Sequence, residues 1–210
     1  MSDEQTQGAK ATADNVEATS AGASEPRVEE QPEAEEEKQP ESWFITGANG
    51  NLGQRLIRRL LSQGAVITAV VRSSRAEREL TRVFSATSQL RIEVIDYAET
   101  MLLAQAAYGA QYAVHLVGIL KSGKNATYAT AHESSCTSLT RALKDTSVEH
   151  ITYVSILGAK PDSNNACLAS KGRAERILYR CPIPACTLRV PMVIGERDYA
   201  SKMLTQRANL

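Results

Sequence analysis

The chain has 210 residues, enough for one full domain or two small ones, and its formal charge is zero at pH 7. Residues 1–42 carry a net charge of −9 and the remainder carries +9, with the basic groups scattered rather than clustered, so no nucleic-acid partner is expected. No apolar run approaches the roughly 20 residues that a membrane-spanning helix needs, and no secretory signal is evident, so we expect a soluble, cytoplasmic protein without a membrane span.

Residues 1–42 are rich in Glu, Ala, Gln, Ser and Pro and hold almost no large apolar side chains. Such a segment cannot bury enough surface to offset the entropy of ordering it. The sequence therefore predicts a disordered acidic tail, followed by one domain over residues 43–210. The acidic run 29–37 could dock on a basic surface of a partner or of the chain's own body, although a solvating tail is the simpler interpretation.

From residue 43 onwards, short apolar strands alternate with helices of about a dozen residues. This alternation predicts an α/β fold, a doubly wound parallel sheet with helices on both faces. Strands are expected at 43–46, 65–71, 90–95, 112–117, 151–155 and 187–190. Helices are expected at 51–63, 73–84, 99–108, 127–144 and 168–179, with one more helical segment over 196–210.

The rest of the chain is organised around a glycine-rich turn that follows the first strand. In this turn Gly47 permits a tight bend, Gly50 permits close backbone approach and Gly53 lets the next helix pack on the strand. Because a helix N-terminus presents unpaired N–H groups and partial positive charge, the turn predicts a site for the pyrophosphate of a dinucleotide. The turn residues expected at the cofactor are Gly47, Ala48, Asn49, Gly50, Asn51, Leu52 and Gly53.

The end of the second strand indicates which dinucleotide is bound. NAD-binding proteins usually place an acid there, about 20 residues past the glycines, to hold the ribose 2′-hydroxyl. This chain has Arg72 followed by Ser73. A carboxylate would repel a 2′-phosphate, whereas a guanidinium can pair with it bidentately and contribute about 1.5–3 kcal/mol. The sequence therefore favours NADP(H) as cofactor, with NAD(H) as the alternative.

With its turn written Thr-Gly-Ala-Asn-Gly-Asn-Leu-Gly, the chain resembles the short-chain dehydrogenase/reductase superfamily in its extended and atypical branches, over most of residues 43–195. The resemblance implies that Asp96, with Tyr97, contacts the adenine. It also implies that Val117 and Gly118, at the end of the fourth strand, lie beside the cofactor. The segments 188–191 and 193–195 resemble those that flank the nicotinamide, which adds Pro191 and Val193 to the expected cofactor-binding residues.

The same resemblance identifies Ser155 as the active-site Ser and Lys171 as the catalytic Lys, which also contacts the cofactor. In catalytic members a Tyr lies four residues before the Lys, on the same helix face, and exchanges the proton that accompanies hydride transfer. Cys167 stands at that position here, and a thiol ends several ångströms short of a phenol oxygen. Losing a general acid costs typically 10²–10⁴ in rate. Rescue by Cys167 or by Tyr153 is the alternative.

Among similar proteins, NmrA-like regulators and the 39-kDa-type accessory subunit of respiratory complex I bind NADP(H) without an obvious redox reaction. Val-Gly-Ile-Leu at 117–120 and Leu-Gly-Ala at 157–159 resemble the latter group. This resemblance implies a sensor, scaffold or assembly factor with a protein partner. The alternative is an NADP-dependent oxidoreductase, or a sugar-nucleotide epimerase or dehydratase, that uses a displaced acid. Extended members continue into a small substrate domain, which we expect to be largely absent from this chain.

The cysteines and histidines show no metal-site spacing. Cys181 and Cys186 lack the close Cys/His spacing of a zinc site, and we expect free thiols in a reducing compartment. His115, His132 and His150 fall on separate predicted elements, where core or surface roles are favoured. The sequence therefore predicts no metal site and no catalytic triad.

Overall fold

The computed structural model describes residues 39–84, 86–119, 121–123, 126–191, 193 and 205–206. The predicted acidic tail lies outside the described residues apart from 39–42, and Ser42 already belongs to the first strand. The predicted helical segment 196–210 also lies outside them, except that Thr205 and Gln206 are helical. Within the described ranges, no helix is both long and apolar enough to cross a bilayer.

Strands and helices alternate along the chain, as the sequence predicts. The strands are β1 (Ser42–Thr46), β2 (Val66–Val71), β3 (Leu90–Val94), β4 (Tyr112–His115), β5 (His150–Ile156) and β6 (Ala185–Val190). The helices are α1 (Asn51–Leu61), α2 (Ser74–Val83), α3 (Thr100–Ala106), α4 (Ser135–Leu143) and α5 (Ala166–Tyr179). Each predicted element up to residue 190 is confirmed with ends that agree within two residues, except for the helix expected over 127–144.

One predicted helix has a different internal geometry. Residues 127–144 were expected to form one continuous α-helix, but Ala129–Ser134 is a π-helical segment that leads directly into α4. Hydrogen bonds in a π-helix span five residues instead of four, which turns the side chains that follow to a new direction. Such segments are frequent at functional sites, and this one lies beside the residues described below.

All six strands are parallel and lie in the order β3-β2-β1-β4-β5-β6. The order reverses between β1 and β4, where Ile45 pairs with Ala69 on one side and with Val114 on the other. In open α/β sheets, ligands bind outside the carboxyl ends of the strands at this reversal. The doubly wound parallel fold is therefore confirmed, and its topology defines where a ligand would bind.

Each face of the sheet carries its own apolar core. Ile45, Ile67 and Val71 on one face pack with Ile57 of α1 and Leu80 of α2. The other face packs against α3, α4 and α5, through the side chains of Phe44, Leu103, Leu139, Ile151 and Leu178. Burying an aliphatic or aromatic side chain of this size contributes roughly 1.5–3 kcal/mol, so the two cores fix the strand ends that form the site.

Candidate dinucleotide-binding site

The glycine turn after β1 uses its three glycines in three different ways. Gly47 has φ of +74°, and a Cβ there would lie 2.9 Å from the carbonyl carbon of Leu116. Gly53 sits so close to the turn that a Cβ would lie 2.5 Å from the Ala48 oxygen. At Gly50 the backbone suits any residue, with φ of −66° and ψ of 163°, and a Cβ would meet only the Gly47 oxygen, at 3.3 Å. Gly50 therefore keeps the approach to the helix open rather than permitting the turn itself.

The N-terminus of α1 is available to an anion. Gly50 is its N-cap residue and offers no side-chain cap, and the first turn carries no acid. The neighbouring polar groups are held in place, since Gln54 Nε2 donates to the Asn49 oxygen at 2.9 Å and Arg55 Nε donates to Asn51 Oδ1 at 3.1 Å. Uncapped N–H groups together with the helix dipole favour a phosphate at this point.

Tyr97 holds the glycine turn through hydrogen bonds of its hydroxyl. The Gly47 N–H donates to the Tyr97 hydroxyl at 2.9 Å, and that hydroxyl donates to the Val70 oxygen at 3.4 Å. Burial raises the pKa of Tyr97, so the phenol stays protonated. The guanidinium of Arg72 lies over its ring, 5.7 Å from the centroid. The resemblance implies that Tyr97 lies at the adenine. In the structure its hydroxyl is hydrogen-bonded to the glycine turn.

A cavity of about 410 Å³ opens at the carboxyl ends of β2, β3 and β4. It brings together four residues expected at the cofactor, namely Arg72, Asp96, Tyr97 and Val117. Its far wall comes from the π-helical segment and α4, which the sequence pattern did not single out. The lining residues from that wall are Thr130, Ala131, Ser134, Ser135 and Ser138. Hydroxyl side chains at four-residue spacing, Thr130, Ser134 and Ser138, were the available signal.

The polar groups at this cavity are partly engaged by their own loops. Ser73, which follows Arg72 but does not line the cavity, accepts through Oγ from the Ala76 N–H at 3.3 Å and caps α2. Asp96 Oδ1 accepts from the Ala98 N–H at 3.0 Å. Arg72 itself is exposed at the end of β2. A guanidinium in that position is available to a phosphate group at the ribose end of a bound dinucleotide.

Lys171 is the most buried of the charged side chains near the site, at 6% exposure. Its ammonium donates to the Val154 oxygen at 2.9 Å and lies 4.5 Å from the ring centroid of Tyr153. Burial lowers the pKa of Lys171 to about 8, against the opposing influence of Cys136 and Cys167. The ammonium is thus held beside β5.

The Cys167 thiol and the Tyr153 phenol are poor substitutes for the missing general acid. Cys167 is half-buried in the first turn of α5, and burial raises its pKa more than Lys171 lowers it. Tyr153 is fully buried, with the Cys136 thiol beside its hydroxyl, and burial raises its pKa well above 10. Tyr153 therefore has no exposed surface from which to transfer a proton. Ser155 is also fully buried, and its Oγ has no partner among the described residues.

His115 has a structural role. Its Nε2 lies 3.1 Å from Ser135 Oγ, which donates its own proton to the Ala131 oxygen at 2.7 Å. His115 Nε2 must therefore be the donor, and Nδ1 accepts from Thr46 Oγ1 at 2.6 Å. Burial lowers the pKa of His115 to about 3, so the ring is neutral. It joins β1, β4 and α4 in the interior, as expected for a core histidine.

His132 is a buried residue whose position near the site the sequence did not reveal. It belongs to the π-helical segment, and its Nε2 accepts from the Ile119 N–H at 3.3 Å. A Cβ at Gly118 would lie 3.6 Å from that Nε2 and 3.4 Å from Lys171 Nζ. Burial and the Lys171 ammonium lower the pKa of His132 to about 4. The exposed backbone of Gly118 thus lies between a neutral imidazole and an ammonium.

The π-helical segment is joined firmly to α5. Glu133 accepts from Arg173 at 2.8 and 2.9 Å and from Ser170 Oγ at 2.8 Å, and these donors hold its pKa below the usual range. Gly172 packs so closely that a Cβ would lie 2.4 Å from the backbone of Lys160. These contacts fix Lys171, which lies between Ser170 and Gly172.

The remaining predicted positions lie apart from the cavity. Pro191 follows β6 and Val193 is 47% exposed, and neither lines the cavity. Residues 192, 194 and 195 lie outside the described ranges. Among the residues that the structure does describe, no group of three or more His, Cys, Asp or Glu could hold a metal. All four cysteines are free thiols.

Comparison with known proteins indicates a family for the chain and a fold that it shares. The sequence profile of a family described as NAD(P)H-binding matches residues 47–207. The chain is 24% identical over 167 residues to the mitochondrial NADH-ubiquinone oxidoreductase 40 kDa subunit of Neurospora crassa, covering 79% of this chain and 44% of that protein. It is also 24% identical over 164 residues to the ceramide reductase of Caulobacter vibrioides, covering 78% and 50% respectively. The chain thus spans half or less of the length of these relatives.

Solved structures share the fold. The Bordetella bronchiseptica enzyme WbmG in complex with NAD superposes with a TM-score of 0.68 at 18% identity, covering 84% of this chain and 62% of that one. WbmH of the same organism, in complex with NAD⁺, gives a TM-score of 0.67 at 19% identity, covering 81% and 63%. At this level of identity, the likeness shows a common fold.

Proposed function

Because this chain belongs to the NAD(P)H-binding family, as an atypical member of the short-chain dehydrogenase/reductase superfamily, we propose that it binds NADP(H) as a sensor, scaffold or assembly factor. In this role the bound dinucleotide supports little or no standard dehydrogenase turnover. One contrast supports the proposal. The helix N-terminus at the glycine turn is open to a phosphate, whereas the candidates for the general acid, Cys167 and Tyr153, are partly or fully buried.

The described residues fit a dinucleotide. Gly50 leaves the N-terminus of α1 open. The cavity of about 410 Å³ at the carboxyl ends of β2, β3 and β4 is lined by Tyr97, whose hydroxyl accepts from the Gly47 N–H of the glycine turn. The helix N-terminus would hold the pyrophosphate, and the cavity would take the adenosine half. When bound, a nicotinamide dinucleotide supplies a hydride donor or acceptor. The chain's own residues supply binding and orientation.

Preference for NADP(H) is supported by Arg72. Its guanidinium lies over the Tyr97 ring at the cavity wall and is exposed, so it is accessible to a 2′-phosphate. Asp96, the acid at the same wall, follows β3 rather than β2. It therefore does not occupy the position from which an acid holds the 2′-hydroxyl of NAD.

Weak or absent turnover is supported by the groups around Lys171. Cys167 replaces the expected Tyr and has a raised pKa, and Tyr153 has no exposed surface. Without a positioned acid, a carbonyl substrate loses typically 10²–10⁴ in rate. Lys171 still has N–H donors beyond the one given to Val154, which suit a ribose hydroxyl.

A protein partner is supported by similarity alone. The relative from Neurospora crassa is a subunit of NADH-ubiquinone oxidoreductase, and it matches four-fifths of this chain. A dinucleotide that is bound and not consumed could stabilise a subunit by mass action, because a ligand that binds only the folded state adds to its stability. We propose a cytoplasmic location, which suits the free thiols.

The second candidate is an NADP-dependent oxidoreductase or a sugar-nucleotide epimerase or dehydratase that uses a displaced acid. It is favoured by the buried Ser155 hydroxyl, which has no partner among the described residues and follows Val154, whose oxygen accepts from Lys171. A hydroxyl left in this state can be satisfied by a bound group. The similarity to a ceramide reductase also supports this alternative.

Steady-state consumption of NADPH, measured against a panel of carbonyl compounds and sugar nucleotides, separates the two candidates. We expect no consumption above the level of Lys171→Ala, while NADPH binding persists in both proteins. Lys160→Ala, which removes an exposed lysine paired with Asp162, is the matched control. Turnover that Lys171→Ala abolishes and Lys160→Ala preserves would establish the enzyme instead.

A further inference from the structure

His132 is placed at the meeting point of three elements near the site. It lies in the π-helical segment, its ring stacks on that of Tyr128 with centroids 5.6 Å apart, and none of its surface is exposed. A buried imidazole loses the hydration of both ring nitrogens, so each nitrogen requires a partner or pays a cost in free energy. The partners of the two ring nitrogens therefore indicate what holds the ring in place.

One ring nitrogen holds the backbone at the end of β4. Nε2 accepts from the Ile119 N–H at 3.3 Å, so Nε2 carries no proton and, in the neutral ring, the proton lies on Nδ1. Nδ1 has no partner among the described residues. The hydrogen bond from the Ile119 N–H to Nε2 thus holds the ring next to residues 118–119.

Gly118, the residue before Ile119, lies close to both His132 and Lys171. A Cβ built on Gly118 would approach His132 Nε2 at 3.6 Å and Lys171 Nζ at 3.4 Å, both ordinary van der Waals distances. Gly118 thus leaves a gap of about one methyl group between an imidazole and an ammonium, at the carboxyl end of β4. The gap opens to solvent, because Gly118 is exposed.

We propose that His132 is a positioning residue for the nicotinamide half of the dinucleotide. By holding the Ile119 amide, it keeps the Gly118 backbone beside the Lys171 ammonium and open to the ligand. The inference rests on the proposed function, because it requires a dinucleotide at the carboxyl edge of the sheet. It adds a residue from the π-helical segment to the site.

The test compares NADPH with 2′-phospho-ADP-ribose, which has the same adenosine half and pyrophosphate but lacks nicotinamide. Calorimetric titration of His132→Phe should show NADPH binding weakened about tenfold, the scale expected for an amide left without its acceptor. Binding of 2′-phospho-ADP-ribose should stay within about twofold of the wild-type value. His132→Gln should recover most of the NADPH affinity, because Gln Oε1 reaches about as far as Nε2. His132→Asn, whose oxygen corresponds to Nδ1, should not.

Gly118→Ala tests the same inference without touching the core. Its Cβ fits the free protein at ordinary contact distances, so the fold is kept while the gap is filled. We expect selective loss of NADPH affinity, with 2′-phospho-ADP-ribose unaffected and the melting temperature unchanged. Equal losses for both ligands, or no loss in either variant, would overturn the role of His132. If the wild-type protein binds neither ligand, the proposed function fails as well, which is a distinguishable result.

Discussion

At the scale of single residues, we propose that Arg72 decides between the two dinucleotides. Replacing it with Glu puts a carboxylate where a 2′-phosphate would lie, so we expect Arg72→Glu to weaken NADPH binding by roughly tenfold to a hundredfold. NADH has a hydroxyl at that position, and its affinity should change by less than about threefold. Titrating both cofactors by the quenching of protein fluorescence or by calorimetry measures the two effects.

Arg59→Glu is the matched control for Arg72→Glu. Arg59 is an exposed arginine in the last turn of α1, at the opposite end of that helix from the glycine turn, and the substitution makes the same change in net charge. It should affect the two cofactors equally and weakly. If Arg72→Glu lowers the affinity for NADH and NADPH by the same factor, the argument for NADP(H) is wrong.

Lys171 should make stability depend on pH in the alkaline range. Its pKa in the folded protein is about 8 because of burial, whereas an unfolded chain keeps the proton up to about 10.5. Between these values the unfolded state binds more protons, so the free energy of unfolding contributed by Lys171 rises with pH. The cost of burying the ammonium is fully present below pH 8 and is relieved as the pH approaches 10.5.

The measurement is urea unfolding of the wild-type protein and of Lys171→Met at pH 7 and pH 10. The stability of the wild type relative to Lys171→Met should increase by about 2 kcal/mol over this interval. Taking the difference cancels the titration of the cysteines, which both proteins share. A difference that stays constant or falls with pH would mean that Lys171 keeps its ordinary pKa.

At the scale of elements, the glycine turn separates binding from folding. Gly50→Val should abolish dinucleotide binding and cost only about 1 kcal/mol of stability, since the backbone there suits any residue. Gly53→Ala should instead destabilise the protein by about 1–3 kcal/mol, because its Cβ would lie 2.5 Å from the Ala48 oxygen. Urea unfolding together with NADPH titration distinguishes the two effects. Retained affinity in Gly50→Val would place the pyrophosphate elsewhere.

Local patterns were sufficient to predict the elements. Apolar runs such as 65–71 are buried on both faces of a parallel sheet, and this leaves a clear signal in the sequence. The glycine turn and the position of Arg72 were also predictable from the sequence, because the first depends on local backbone geometry and the second on the charge of one side chain.

The sequence could not predict contacts made between distant elements. The π-helical geometry of Ala129–Ser134, the bond from the Gly47 N–H to the Tyr97 hydroxyl and the close packing at Gly172 all depend on tertiary contacts. The same holds for Tyr153, which lies two residues from Ser155 on the buried face of β5. Its complete burial, which removes it as a displaced acid, became evident only in the folded chain.

At the scale of the whole molecule, the site has two parts that differ in how accessible their groups are to a ligand. The carboxyl ends of β1 to β4 present an open helix N-terminus, a cavity and an exposed guanidinium. The carboxyl end of β5 and the start of α5 present a buried lysine, a buried serine and a half-buried thiol. This division is the physical basis for proposing binding without standard turnover.

The most direct test of this account is an equilibrium titration of the wild-type protein with NADPH and with NADH under identical salt and pH. The account predicts saturable binding of one dinucleotide per chain, with NADPH bound at least about tenfold more tightly than NADH, as one charge-assisted contact to the 2′-phosphate would give. Equal affinities for the two cofactors, or no binding of either, would contradict it.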